Sequence, residues 1–143
     1  MKEYNAPFFA LYENTFLVLK ENFGEAKALE IFTKIMERGL KKAYEAMGFQ
    51  KGNPRDFARV LRTRDESVGL HVEFPEVSEN RIVYQFHTDP FPNLKGQVEP
   101  EKLDATYMRF KVRYLLGDNW GYKTTKHLWK GDPYTEHVIF KKE

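Results

Sequence analysis

The spacing of apolar residues changes partway along the chain, from a helical repeat to the alternation typical of strands. In the first part apolar side chains recur every three or four positions, which predicts helices over about residues 6–22 and 25–47 and a third helix from Pro54. Between Val68 and Phe86 apolar and polar residues alternate instead, which predicts two strands. Because the two patterns occupy separate blocks, we expect an α+β protein in which helices pack on one sheet.

The two alternating segments are predicted to form a hairpin that turns at residues 78–80. A slip of one residue would place the apolar set of one strand opposite the polar set of the other. We therefore expect Val72 to lie opposite Phe86 and Phe74 opposite Tyr84, with these side chains in the core. The other face of the hairpin then carries His71, Glu73, Gln85 and His87.

The remainder of the chain predicts one more helix and one more hairpin. Helical spacing returns from Pro100 to Gly117, and residues 122–130 and 134–142 resemble strands joined at a Gly-Asp-Pro turn. We expect a single domain over residues 1–143, with a four-stranded antiparallel sheet of two hairpins packed against about four helices. Gly39 lies on the apolar stripe of the second helix, which predicts that a neighbouring element packs closely against it.

Composition excludes several classes of function. The 23 basic and 21 acidic side chains are interspersed and give a net charge of only +2, which favours neither nucleic acid nor a membrane surface as a partner. Without cysteine the chain has no disulfide, thiolate metal site or cysteine nucleophile. The N-terminal residues have no leader-like or membrane-spanning pattern, so we expect a cytoplasmic protein.

Candidate functional residues are scattered, because the sequence has no phosphate-binding loop, zinc-protease motif or nucleophile elbow. The polar face with His71 and His87 is interpreted either as a solvated sheet face or as a site. As a site, the two imidazoles with Glu73 or Asp89 would hold a divalent metal, or one histidine would act as a general base. The spacing matches no zinc pattern, so we predict neither a metal nor another cofactor.

A second group of candidates is aromatic or lies near the last hairpin. These residues are Phe91, Tyr107, Trp129, Tyr134 and His137. The aromatic residues are interpreted first as packing residues, since large rings in small domains mostly fill cores, and His137 as a partly buried strand histidine with a satisfied hydrogen bond. The alternative is that these residues form part of a ligand pocket.

Several segments resemble the L-2-amino-thiazoline-4-carboxylic acid hydrolase-like family, which in turn resembles vinyl-reductase-type ligand-binding domains. The segments are Lys126–Phe140 (KHLWKGDPYTEHVIF), Gly39–Gly48 (GLKKAYEAMG), the Asp-Pro-Phe after the first hairpin, and the helix that carries Asp104. The chain departs from the family pattern at Asp89 and Thr135, where cysteines are common. The resemblance implies hydrolysis of a small cyclic compound, but any role for a thiolate is lost.

Three functions therefore remain as hypotheses. In the first, the protein is a hydrolase-like enzyme whose His87 activates water while Asp89 orients the imidazole, with both residues at the mouth of a pocket. The substrate-binding residues would be His71, Glu73, Phe91, Tyr107, Trp129, Tyr134 and His137. In the second, the protein is a non-catalytic domain that binds or senses a small molecule. In the third, it is a homodimeric interaction module.

Overall fold

The computed structural model describes residues 2–143, so Met1 of the predicted domain lies outside it. Its helices are α1 (Ala6–Phe23), α2 (Glu25–Met47), α3 (Pro54–Ser67) and α4 (Pro100–Leu115). Its strands are β1 (Val72–Val77), β2 (Arg81–Phe86), β3 (Trp120–Lys126) and β4 (Thr135–Lys141). Single 3₁₀ turns lie at Pro92–Leu94 and Leu128–Lys130. The predicted α+β fold is confirmed.

Local chemistry sets the helix boundaries. The Asn5 side chain accepts a hydrogen bond from Phe8 N, and the Asn53 side chain accepts bonds from the first amides of α3, so two helices begin at asparagine caps. A proline occupies the first turn of each of these helices, where a missing N–H costs nothing. Helix α2 ends at Gly48, whose φ of 74° is readily adopted only by glycine.

The sheet is antiparallel with the strand order β1-β2-β4-β3, so the two predicted hairpins join through β2 and β4. The predicted pairing of Val72 with Phe86 is confirmed. Beyond Glu73 a β-bulge shifts the register, so Phe74 does not pair with Tyr84 across the backbone, although their rings stack at 4.8 Å. Pro75 lies in this bulge and has no N–H for the ladder.

The inner face of the sheet packs against the helices. Val72, Tyr84 and Phe86 are buried there as predicted, Ile82 is buried beside them, and Phe74 is only half-buried. On the outer face Gln85 is buried as well, because β2 lies between β1 and β4 and neighbouring side chains cover it. The outer face is thus less open to water than the sequence predicts. None of the helices within residues 2–143 is both long and apolar enough to cross a membrane.

The predicted close packing at Gly39 is wrong. The residue is exposed, and a Cβ built there would lie 3.4 Å from the Tyr12 hydroxyl, which is an ordinary contact. Helices α1 and α2 meet instead through larger side chains, such as the edge-to-face rings of Phe16 and Phe32 at 5.5 Å.

Replacing Gly39 with alanine should therefore stabilise the protein. Alanine restricts the unfolded chain and favours the helix, so the free energy of unfolding should rise by about 0.5–1 kcal/mol. Urea denaturation with an unchanged slope would measure the gain. A lower midpoint would mean that α1 packs against this position more tightly than in the structure.

Replacing Phe86 with alanine should cost about 3–5 kcal/mol, because its ring is almost completely buried on the inner face of the sheet. Phe23 provides a control of the same residue type, since it is 60% exposed at the end of α1. The Phe23→Ala variant should lie within about 0.5 kcal/mol of the parent protein. Equal losses in the two variants would contradict the burial of the β2 inner face.

Candidate functional site

A largely apolar pocket lies between the helices and the inner face of the sheet; we call it the helix-sheet pocket. It holds a free volume of about 50 Å³. Its lining comes from all four helices, the sheet and the loop after β2: Phe8, Phe9, Tyr12, Met36, Leu40, Arg64, Asp65, Val68, Leu70, Phe86, Pro90, Phe91, Tyr107 and Lys111. Apolar walls with a few polar groups are the usual surface of a small-molecule site.

The polar groups of the pocket centre on Lys111, which is a buried residue of α4. Its ammonium donates a hydrogen bond of 3.2 Å to the Tyr84 hydroxyl, which itself donates to the Asp65 carboxylate. The ammonium also lies within 5.2 Å of the ring centroids of Tyr84, Phe86 and Tyr107. These cation–π contacts replace part of the lost hydration of the charge.

Burial disfavours the charged forms of Lys111 and Asp65, the two ends of this network. Removal from water lowers the pKa of Lys111, and the attraction of Asp65 offsets only part of that effect. Burial also raises the pKa of Asp65, against the nearby Lys111 and the hydrogen bond from Tyr84. A ligand that hydrogen-bonds to these groups would supply solvation that the fold leaves incomplete.

Arg64 adds a further donor to the pocket lining. Its Nε is buried and has no hydrogen-bond partner among residues 2–143, while its guanidinium lies 5.3 Å from the centroid of the Phe8 ring. An unpaired buried donor costs about 1–3 kcal/mol. Lys111 and Arg64 therefore give the lining of the pocket two donor groups beside the Asp65 carboxylate.

A second, smaller cavity of about 10 Å³ lies beside the first, near the last hairpin. Asp89, Asp104, His127 and Trp129 contribute to its lining. Asp89 accepts hydrogen bonds from Phe91 N at 2.9 Å and from the Trp129 indole at 2.7 Å, so both carboxylate oxygens hold protein groups. Burial raises the pKa of Asp89, although these two bonds and the nearby His127 favour its ionised form.

His127 is also fully engaged by its surroundings. Its Nδ1 accepts a hydrogen bond from Trp129 N at 3.0 Å, so Nε2 carries the hydrogen and donates to Asp104 Oδ2 at 2.9 Å. The other oxygen of Asp104 accepts a bond of 2.7 Å from the Tyr107 hydroxyl. Because each ring nitrogen has a partner, His127 orders the hairpin turn and presents no free nitrogen to a substrate.

The predicted catalytic residues, His87 and Asp89, lie in different surroundings. His87 projects from the outer face, where its Nε2 lies 3.0 Å from Gln85 Oε1 and 3.3 Å from Glu73 Oε2. Asp89 instead borders the small cavity and bonds to Trp129. Among the described residues no hydrogen bond joins His87 to Asp89, so the geometry lacks the pair that the hydrolase hypothesis needs, and the two catalytic roles stay a prediction.

The predicted substrate-binding residues divide into three groups. Phe91 and Tyr107 line both cavities, and Trp129 lines only the smaller one. On the outer face, His71, Glu73 and Tyr134 surround His87. His137 is completely buried in β4 and borders neither cavity. Sequence reasoning missed Arg64, Asp65 and Lys111, although a lysine four residues after Tyr107 on an apolar helix face is a visible signal.

Comparison with known proteins supports the fold at low sequence identity. No family model and no curated protein matches the chain. Among solved structures, the chain is similar to the phenol-responsive sensory domain of the transcription activator PoxR, solved with phenol. The TM-score is 0.58 at 13% identity, and the match covers 99% of this chain and 76% of that one. The protein therefore shares the fold of a small-molecule sensory domain, while the hydrolase-like family stays a prediction.

We predict that His137 stays neutral in the folded protein down to about pH 4. Burial lowers its pKa to about 4, because Nε2 has no partner and the Asp104 carboxylate, at 3.9 Å, offsets only part of the desolvation. The unfolded chain binds the proton near pH 6.5, so stability is lost as the pH falls from about 6.5 to about 4. The loss from this residue is about 3 kcal/mol.

Imidazole NMR through a pH titration would follow His137 directly. A matched measurement is the free energy of unfolding of the His137→Phe variant, which should decrease less between pH 7 and 4 than that of the parent protein. The raised pKa of Asp65 increases the free energy of unfolding as the pH falls, which is opposite to the effect of His137. Because both proteins contain Asp65, its contribution cancels in the comparison. Protonation of the folded ring near pH 6.5 would contradict the prediction.

Proposed function

We propose that the protein is a ligand-binding domain that takes up a small aromatic compound bearing an oxygen acceptor in the helix-sheet pocket. The observation that carries this proposal is the combination of apolar walls with buried donors that lack full partners, Lys111 and Arg64. An aromatic ring would fill the apolar part, and a hydroxyl or carboxylate oxygen would accept from the donors. The likeness to a phenol-responsive sensory domain supports the same ligand class.

The free volume implies that binding is accompanied by local rearrangement. An apolar cavity of about 150 Å³ accommodates benzene, whereas about 50 Å³ is free here. Phe8, Tyr12 and Met36 line the pocket and are only half-buried, so their side chains can move without unfolding the core. Met36 is the most adaptable of the three because its chain is unbranched and flexible.

A binding function fits the geometry better than hydrolysis does. General-base catalysis needs an imidazole nitrogen within reach of a water and a group that orients the ring. His127 has the orienting carboxylate but no free nitrogen, and His87 lies away from both cavities. Opening of the cyclic substrate that the family resemblance implies would favour the hydrolase hypothesis instead, and product analysis after incubation with 2-aminothiazoline-4-carboxylate would detect it.

The ligand proposal can be tested by NMR on protein labelled at the methionine methyl groups. Phenol and benzoate should shift the Met36 signal in a saturable way, whereas Met47, which does not line the pocket, should be unaffected. Toluene lacks the oxygen acceptor and should bind at least about tenfold more weakly, the equivalent of one charge-assisted hydrogen bond. If none of these aromatic compounds shifts Met36 at millimolar concentration, the proposal is wrong.

Replacing Lys111 with methionine should reduce the preference for phenol over toluene, because Arg64 is then the remaining cationic donor of an otherwise apolar pocket. The expected loss in phenol affinity is about 10- to 100-fold, because the charged donor is removed at nearly constant side-chain size. Lys42→Met is the matched control, since Lys42 is an exposed residue of α2. The phenol affinity of this control variant should equal that of the parent protein. Calorimetric titrations on the three proteins would measure this difference, and equal phenol preference in all three would exclude Lys111 from recognition.

The homodimer also stays a prediction. Leu11 and Val18 are exposed, lie seven residues apart on α1 and therefore share one helix face. A second copy of the chain could cover this helix face in a homodimer. Sedimentation equilibrium would measure the mass of the protein in solution and so distinguish a monomer from a dimer.

A further inference from the structure

Three potential metal ligands converge on the outer face of the sheet, away from the helix-sheet pocket. His71 Nε2 lies 3.2 Å from Glu73 Oε2, and His87 Nε2 lies 3.3 Å from the same oxygen. The three ligand atoms all lie within 4.8 Å of one another. We call His71, Glu73 and His87 the histidine cluster.

Strand geometry explains why these side chains meet. His87 N donates a hydrogen bond of 2.8 Å to His71 O, so the two histidines lie opposite each other where β1 begins and β2 ends. Glu73 is two residues after His71 and projects from the same face. The bulge begins only after Glu73, so the register at the cluster is regular. The cluster thus rests on paired backbone rather than on a mobile loop.

Two of the three separations among the ligand atoms match those around a tetrahedral zinc ion. Metal–ligand distances of about 2.0–2.2 Å place neighbouring ligands roughly 3.3 Å apart at the tetrahedral angle. The two separations in the cluster that involve Glu73 Oε2 are close to this value. Two imidazoles and one carboxylate are also an established set of protein ligands for zinc, with the fourth position left for water.

Neighbouring residues hold the cluster in a fixed orientation. The Gln85 amide nitrogen donates to Glu136 Oε2 at 2.8 Å, and Gln85 Oε1 lies 3.0 Å from His87 Nε2. A metal ion bound at Nε2 would replace the hydrogen of the contact between His87 and Gln85. Glu136 in turn accepts a bond of 2.7 Å from the Thr125 hydroxyl. The Tyr134 ring packs beside His87 with centroids 5.0 Å apart. The packing of Tyr134 limits rotation of the His87 ring, and the Glu136 carboxylate adds negative charge nearby.

The cluster is partly shielded but open to solvent on one side. The exposed fractions of the side chains are 25% for His87, 44% for His71 and 50% for Glu73. An ion can therefore enter without unfolding of the sheet, and the fourth coordination position would face water. From these observations we propose that the histidine cluster binds one divalent transition-metal ion, with zinc as the expected ion. The proposal is independent of ligand binding in the helix-sheet pocket.

Calorimetric titration of the chelator-treated, untagged full chain with Zn²⁺ alone would test the site. We expect one ion per chain and perturbation of the His71 and His87 imidazole signals, with His127 and His137 unchanged. Co²⁺ should give the visible absorption of tetrahedral nitrogen and oxygen coordination. Binding should weaken on acidification, because the ligands must be deprotonated.

Variants separate the cluster from adventitious metal binding. His71→Ala and Glu73→Gln should each lower zinc affinity by more than about 100-fold, since loss even of outer contacts costs about 10- to 100-fold. Glu76→Gln, on the same strand but outside the cluster, should keep the affinity of the parent protein. Thermal unfolding in chelator would verify that all variants are folded. Absence of zinc binding by the parent protein, or equal zinc affinity in the His71→Ala variant, would overturn the proposal.

Discussion

The burial of the Lys111 ammonium is the constraint on which the inner half of this structure depends. A cation at this depth is tolerable only with a hydrogen-bond acceptor, a countercharge and polarisable surroundings. Tyr84 of β2, Asp65 of α3 and three aromatic rings supply these in part. The network thereby fixes α3, β2 and α4 relative to one another, and it places a donor at the wall of the helix-sheet pocket.

Strand β2 connects the two faces of the molecule. Its alternation directs Phe86 towards the helix-sheet pocket and Gln85 towards the histidine cluster, so neighbouring residues contribute to separate environments. Pairing on both sides protects β2 from solvent and makes it a well-supported strand for a site, as it does for β4. The bulge at Phe74 and Pro75 lies towards the other end of the hairpin, where no candidate site depends on the register.

Much of the fold was predictable from the sequence because its signals are local. The asparagine caps, the alternation in the first hairpin and the Val72–Phe86 register follow from short-range rules. The site was less predictable, since Asp65, Tyr84 and Lys111 come from three elements whose packing no short pattern encodes. The sequence did bring His71, His87 and Glu73 together as possible metal ligands, because pairing across a hairpin follows from the register, but it did not favour a metal, since zinc motifs describe fixed spacings along one segment.

The energetics of the pocket favour binding over catalysis as its role. Replacing a buried ion network by apolar residues of similar size is often neutral or stabilising, so the cost of Lys111 is not explained by stability alone. General-base catalysis by histidine would require a free imidazole nitrogen that faces the substrate, yet His127 is engaged on both nitrogens and His137 lines neither cavity. Ligand recognition has no such requirement, because an oxygen acceptor entering the pocket would complete the solvation of Lys111 and Arg64 at once. The hydrogen bonds that these donors lack would then contribute to the affinity for the ligand, and the aromatic walls would favour flat aromatic molecules.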